Sequence, residues 1–130
     1  MLFKALKRMF YLSTLFFVLM VFWSFYDSYR DVKDISVRAK NVMGDSCIPA
    51  LINYYKSIYC VPDDKINVVF ALGQFADAQA LPFLYGVSNT NKCNDTALYN
   101  TLICYETTTA MVNCMEGHYT KWLYRNRENW

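Results

Sequence analysis

Cys104, Glu106, Cys114 and His118, with Cys93 upstream, are the residues whose types and proximity could do chemistry. Thiolate sulfur and imidazole nitrogen are zinc ligands, and Cys114 and His118 stand four positions apart, so an unbroken helix would put both on one face. The same two residues could serve as a thiol nucleophile and its base. That chemistry also needs an orienting group, an oxyanion site and an exposed thiol of suitable pKa, none of which follows from spacing. No Cys-x-x-Cys pair accompanies them. Bridging or ordinary packing explains the cysteines more simply, so no metal site is favoured, and Cys104, Cys114 and His118 form the alternative ligand set.

The five cysteines, Cys47, Cys60, Cys93, Cys104 and Cys114, all follow the apolar N-terminal region. So many in a short domain suits an oxidising compartment, and the odd number leaves one unpaired if all bridges are internal. Spacing does not assign the disulfide pairing. Asn94-Asp95-Thr96 satisfies the N-glycosylation rule, which matters only in a secretory lumen. Asp63 and Asp64 read as favourable charges at a helix start, while Glu106 and Glu116 are too far apart to imply an acid/base pair. A glycine-rich phosphate loop and a His-Glu-x-x-His motif are both missing from the sequence. We therefore expect no enzyme and no cofactor.

The elements that would position these residues begin with a basic segment over 1–8, carrying Lys4, Lys7 and Arg8, and an uncharged run over 9–26. A helix over that run is about 27 Å long at ~1.5 Å per residue, close to a ~30 Å hydrocarbon core, so it reads as a transmembrane helix in contact with the lipid bilayer. Tyr11, Trp23 and Tyr26 suit the headgroup layers. A cleaved signal peptide would need a small-residue site where bulky Trp23, Phe25 and Tyr26 stand, and a buried helix would need a larger protein around it. The basic start argues for a cytoplasmic N-terminus and a periplasmic or lumenal C-terminal domain, although Arg30, Lys33, Arg38 and Lys40 follow on the other side.

Residues 27–43 continue as a connecting helix, with Val32, Ile35, Ala39 and Val42 at helical spacing. Gly44-Asp45-Ser46 marks a stop and a new cap, and Pro49 is tolerable in the next first turn. A helix follows over about 64–75, with Ile66, Val69, Phe70 and Leu72 as its apolar stripe. Asp77 then caps a short helix, which Pro82 can either start later, toward Leu81, or bend. A helix from Asp95 should use Leu98, Leu102 and Tyr105 and stop at Thr107-Thr108-Thr109, leaving 110–124 as the last helix and 125–130 as a tail.

Pro49 and Pro82 are about 33 positions apart, a recurrence typical of helical repeats. Ala71-Leu72-Gly73, Ala76-Asp77 and Leu81-Pro82-Phe83-Leu84 resemble the HEAT-like repeats of the phycobilisome-lyase type, and Gly44-Asp45 with Ile48-Pro49-Ala50-Leu51 makes a fainter copy. The resemblance covers roughly 34–87 and implies an all-α fold: a single transmembrane helix, then a short HEAT-like α-hairpin array of about three helix pairs within 44–124. In that reading Gly44, Asp45, Pro49, Leu72, Gly73, Asp77, Leu81, Pro82 and Leu84 have structural roles.

Such arrays present curved protein-binding surfaces. The expected function is a membrane-anchored adaptor or accessory subunit that docks other membrane-complex proteins, with Tyr54, Tyr55, Trp122 and Tyr124 as contact residues. The alternative is an enzyme-associated cofactor- or metal-binding module. A net charge of +2, with most basic residues interleaved with acids, gives no nucleic-acid footprint. Lys121, Arg125 and Arg127 beside Trp122 and Trp130 suit a protein rim or a membrane surface.

Overall fold

The computed structural model describes residues 2–91, 93 and 98–130. Among them the chain is helical and contains no strand. The helices are α1 (Leu2–Met43), α2 (Cys47–Lys56), α3 (Pro62–Phe75), α4 (Leu81–Thr90) and α5 (Leu98–Glu116), with 3-10 turns at Ala78–Ala80, Lys121–Tyr124 and Arg127–Asn129. Backbone contacts divide the chain after Arg30 into an N-terminal unit and a domain from Asp31 to Trp130. Asn94 and the expected helix start at Asp95 lie outside the described residues.

In the first unit every side chain from Leu6 to Tyr26 is exposed, including Phe10, Phe16, Phe22 and Trp23. An 18-residue stretch of α1 has a mean hydropathy of 1.8 and no buried side chain, so the helix is long and apolar enough to cross a membrane. The Thr14 hydroxyl donates to the Phe10 carbonyl at 2.9 Å, which satisfies a polar group that lipid could not.

In the domain, Val32, Ile35 and Ala39 on the last part of α1 are buried, as their spacing predicts. Val42 departs from that stripe and is 46% exposed, because the helix ends one residue later and Gly44 turns the chain away. Gly44 has φ +71°, and its N–H bonds to the Lys40 carbonyl at 2.8 Å. The end of α3 repeats the device with a less suitable residue. Ala76 adopts φ 48° and bonds to the Gly73 carbonyl at 3.2 Å, and an aspartate follows it as one follows Gly44.

Helix α3 starts with Pro62 in its first turn, where a missing N–H costs nothing, and packs against α2, α5 and the turn at 121–124. Val68, Val69, Ala71, Leu72 and Phe75 are buried, whereas Ile66 and Phe70 are only half-buried. At Gly73 a β-carbon would stand 2.9 Å from both Cα and Cβ of Ala110, so α3 and α5 cross nearly backbone to backbone. That crossing selects small side chains on α5. Ile103, Cys104, Thr107, Ala110 and Cys114 are buried, while Leu102 and Tyr105, expected to face inward, are exposed, Tyr105 by 67%.

The threonine run does not interrupt α5. Thr107 is buried and returns its hydroxyl to the Ile103 carbonyl at 2.7 Å, so its polar group is satisfied inside the helix. The helix ends at Glu116, with Gly117 at φ +88°, so the expected helix over 110–124 is replaced by its start within α5 and by short turns. The third helix pair is therefore one long helix plus a folded tail. Asp77 caps the turn at Ala78–Ala80 by accepting from the Gln79 N–H at 3.1 Å, and α4 starts at Leu81 with Pro82 in its first turn. Leu84 and Leu72 are fully buried, as befits structural positions.

The segment after Gly117 is docked. Tyr124 packs edge-on against Phe75 at 5.6 Å and Trp130 at 6.2 Å between ring centroids. Arg127 pairs with Asp77 at 2.7 Å and lies 5.1 Å from the centre of the Phe75 ring. Lys40 donates to the main-chain oxygens of Glu128 and Trp130 at 2.8 and 2.9 Å, and the Glu128 carboxylate caps α2 by accepting from the Cys47 N–H at 2.9 Å. Asp45, in contrast, stays at the surface, where it accepts from Asn53.

The two helical glycines should respond in opposite directions when changed to alanine. Gly73→Ala should lose about 1–3 kcal/mol by forcing α3 and α5 apart. Gly86→Ala, whose added methyl meets nothing within 4 Å, should gain about 0.5–1 kcal/mol from helix preference. Chemical denaturation of both variants checks the pair, and equal responses would rule out the crossing.

Candidate functional site

The residues that could do chemistry are kept apart or used up. Cys104 is bridged to Cys93, with Cα atoms 5.1 Å apart, which joins α5 to the segment after α4. Cys114 is buried on α5 with its thiol 3.7 Å from the Leu72 carbonyl, and burial raises its pKa above the ordinary thiol value. His118 lies beyond Gly117, off the helix that carries Cys114. Its Nδ1 is hydrogen-bonded to the Thr120 hydroxyl, which also meets Gln74 Oε1 at 2.9 Å. Burial lowers the His118 pKa. Among the described residues no three His, Cys, Asp or Glu side chains gather as a metal would require, so Cys104, Cys114 and His118 do not form a ligand set. Glu106, its pKa raised by burial, borders a small cleft beside Gly73 and Gln74.

Cys47 and Cys60 are unbridged and buried. The Cys60 pKa is pushed up to about 11, first by burial and then by the negative charge of Asp64, so the thiol stays protonated at neutral pH. Asp64 sits in the first turn of α3 as expected, but its role is tertiary. Its carboxylate accepts from Arg38 Nη1 at 3.0 and 3.1 Å and from the Tyr54 hydroxyl at 2.8 Å, which ties the end of α1 and helix α2 to α3. Burial, followed by the bond to Asp64, raises the Tyr54 pKa and keeps the phenol protonated.

Two expected contact residues are corrected. Tyr54 is 2% exposed and Tyr124 is 1% exposed; both belong to the core because each ring has a partner inside the domain. Tyr55 and Trp122 do reach the surface, Trp122 with 65% of its area. Trp122 stands with His118, Tyr119, Lys121, Arg125 and Arg127 around a shallow C-terminal depression.

Tyr55 lines a larger groove of about 490 Å³. Its ring meets Phe83 edge-on at 5.0 Å between centroids. The Lys56 ammonium lies 5.9 Å from the centre of Phe83, and the Lys65 ammonium lies 5.2 Å from the centre of Tyr55. Sequence reasoning missed both lysines. They belong to different helices on either side of the turn at Val61, and no motif announces that α4 will carry Phe83 between them. The arrangement can hold an apolar group and a negative charge.

No protein-family model, curated protein or solved structure matches this chain.

The bridge and the histidine give two measurable outcomes. Reduction, or Cys93→Ser with Cys104→Ser, should lower stability by about 2–3 kcal/mol for a closed loop of this length. Calorimetry with and without reductant reads the loss, and an unchanged transition would exclude the bridge. His118 should titrate below its ordinary 6.5 in an NMR pH series. Because its folded pKa is depressed, its contribution is fully present above the unfolded value and fades as pH falls through that value toward the folded one. His118→Gln should therefore flatten the wild-type stability loss between neutral pH and the folded pKa.

Proposed function

We propose that this chain is a membrane-anchored adaptor or accessory subunit whose helical domain docks other proteins of a membrane complex. The observation that carries the reading is the exposed, uncharged run from Met9 to Tyr26, on the same chain as a domain in which Asp64, Arg38, Tyr54 and Cys114 are engaged in internal bonds. An apolar surface of that kind requires a bilayer or a protein around it. The exposed aromatics Tyr119 and Trp122, and the Tyr55–Phe83 pair, supply rigid amphipathic contact area for a partner.

The domain reads as a short HEAT-like array. In support, Gly44 and Ala76 both end a helix in left-handed conformation, an aspartate follows each, and Pro49 and Pro82 both fall in the first turn of the next helix. The N-terminus is assigned to the cytoplasm and the domain to a periplasm or lumen. The Cys93–Cys104 bridge supports that side, since disulfides persist in oxidising compartments.

Gentle detergent extraction followed by native mass spectrometry tests the reading. The expected spectrum shows the chain with its anchor intact, in fixed stoichiometry with other membrane proteins. A homogeneous monomer, also seen after extraction directly into lipid nanodiscs, would overturn it. A protease-accessible C-terminal tag should be cleaved from the non-cytoplasmic side; cleavage from the cytoplasmic side reverses the orientation.

A further inference from the structure

We propose that the groove lined by Tyr55, Lys56, Lys65 and Phe83 takes an acidic segment of a partner protein, with an apolar side chain of that segment set against the two rings and its carboxylates on the two lysines. The inference rests on the adaptor reading and specifies the chemistry of the docked segment.

Charge is the first argument. Among the described residues the lining includes two lysines and no aspartate or glutamate. Neither lysine has a carboxylate partner in the domain among the described residues. Each ammonium instead rests over an aromatic ring, a contact weaker than the charge-assisted bond a carboxylate would offer in the same partly desolvated place. The cations thus flank an apolar ring pair, an arrangement suited to an apolar side chain with acids beside it.

Shape is the second. Val87 and Ile103 form a buried apolar floor, and above Gly86 a β-carbon would meet nothing within 4 Å. The groove is open to solvent. A small metabolite needs a site that encloses most of its surface, whereas a segment of a longer chain can add contacts beyond the groove. The Cys93–Cys104 bridge fastens α5 next to Ile103, so this wall is held in place before any partner arrives.

The test uses the full chain in zwitterionic lipid nanodiscs, panned against a random library of short displayed peptides. Enriched peptides should carry aspartate or glutamate next to an aromatic or aliphatic residue. A synthetic peptide of the enriched sequence should lose about tenfold or more in affinity with Lys56→Glu plus Lys65→Glu. Gly86→Leu should also block it by filling the open space, with an unfolding transition no lower than that of the wild type. Failure to enrich acidic peptides, or binding untouched by both changes, overturns the assignment. So does lysine-dependent capture of anionic-lipid vesicles without peptide binding, which would give the groove to lipid. Native partners retained by Gly86→Leu, with no acidic peptide selected, remove the groove and leave the adaptor. Partners absent from the wild type remove the adaptor whatever the peptides show.

Discussion

At Gly73 the absence of a side chain lets α3 and α5 approach until a β-carbon there would stand 2.9 Å from Cα and Cβ of Ala110. Much of the domain follows from that proximity. Large residues cannot stand at the crossing, so α5 turns its small and β-branched residues inward and leaves Leu102 and Tyr105 in solvent. Leu72 and Phe75 are buried on α3, and the Leu72 carbonyl receives the Cys114 thiol. Close crossings gain dispersion contacts along the whole seam, and each added methyl group there would be felt as strain.

Around this seam the polar groups act as ties. Asp64 gathers Arg38 and Tyr54 from two other helices, Asp77 both caps a turn and holds Arg127, and Glu128 caps α2 from the far end of the sequence. A carboxylate bonded this way is positioned by its donors. The buried thiols are likewise held in their protonated form, or bridged. Beyond these ties the molecule presents an exposed apolar run and an open groove.

Two such surfaces differ in kind. The run from Met9 to Tyr26 carries no charge and is exposed throughout, which suits lipid, whereas the Tyr55–Phe83 groove is apolar between cations and suits a segment that brings its own negative charge.

The sequence by itself determined several helices and ends, because these depend on neighbours a few residues away: the charge-free run at 9–26, the stop at Gly44-Asp45-Ser46, and Asp77 as a cap. It placed a break at Thr107 and a last helix over 110–124, which packing replaces by the continuous α5 and short turns. It did not determine which face of α5 is inward, since Leu98, Leu102 and Tyr105 make the better apolar stripe and only the nearness of Gly73 favours Thr107 and Ala110. Nor did it show that Tyr54 and Tyr124 are core, that Cys93 pairs with Cys104, or that Lys56 and Lys65 share a groove. These are relations between residues on different elements, fixed by how the helices pack, and local spacing carries no information about distances that only packing creates.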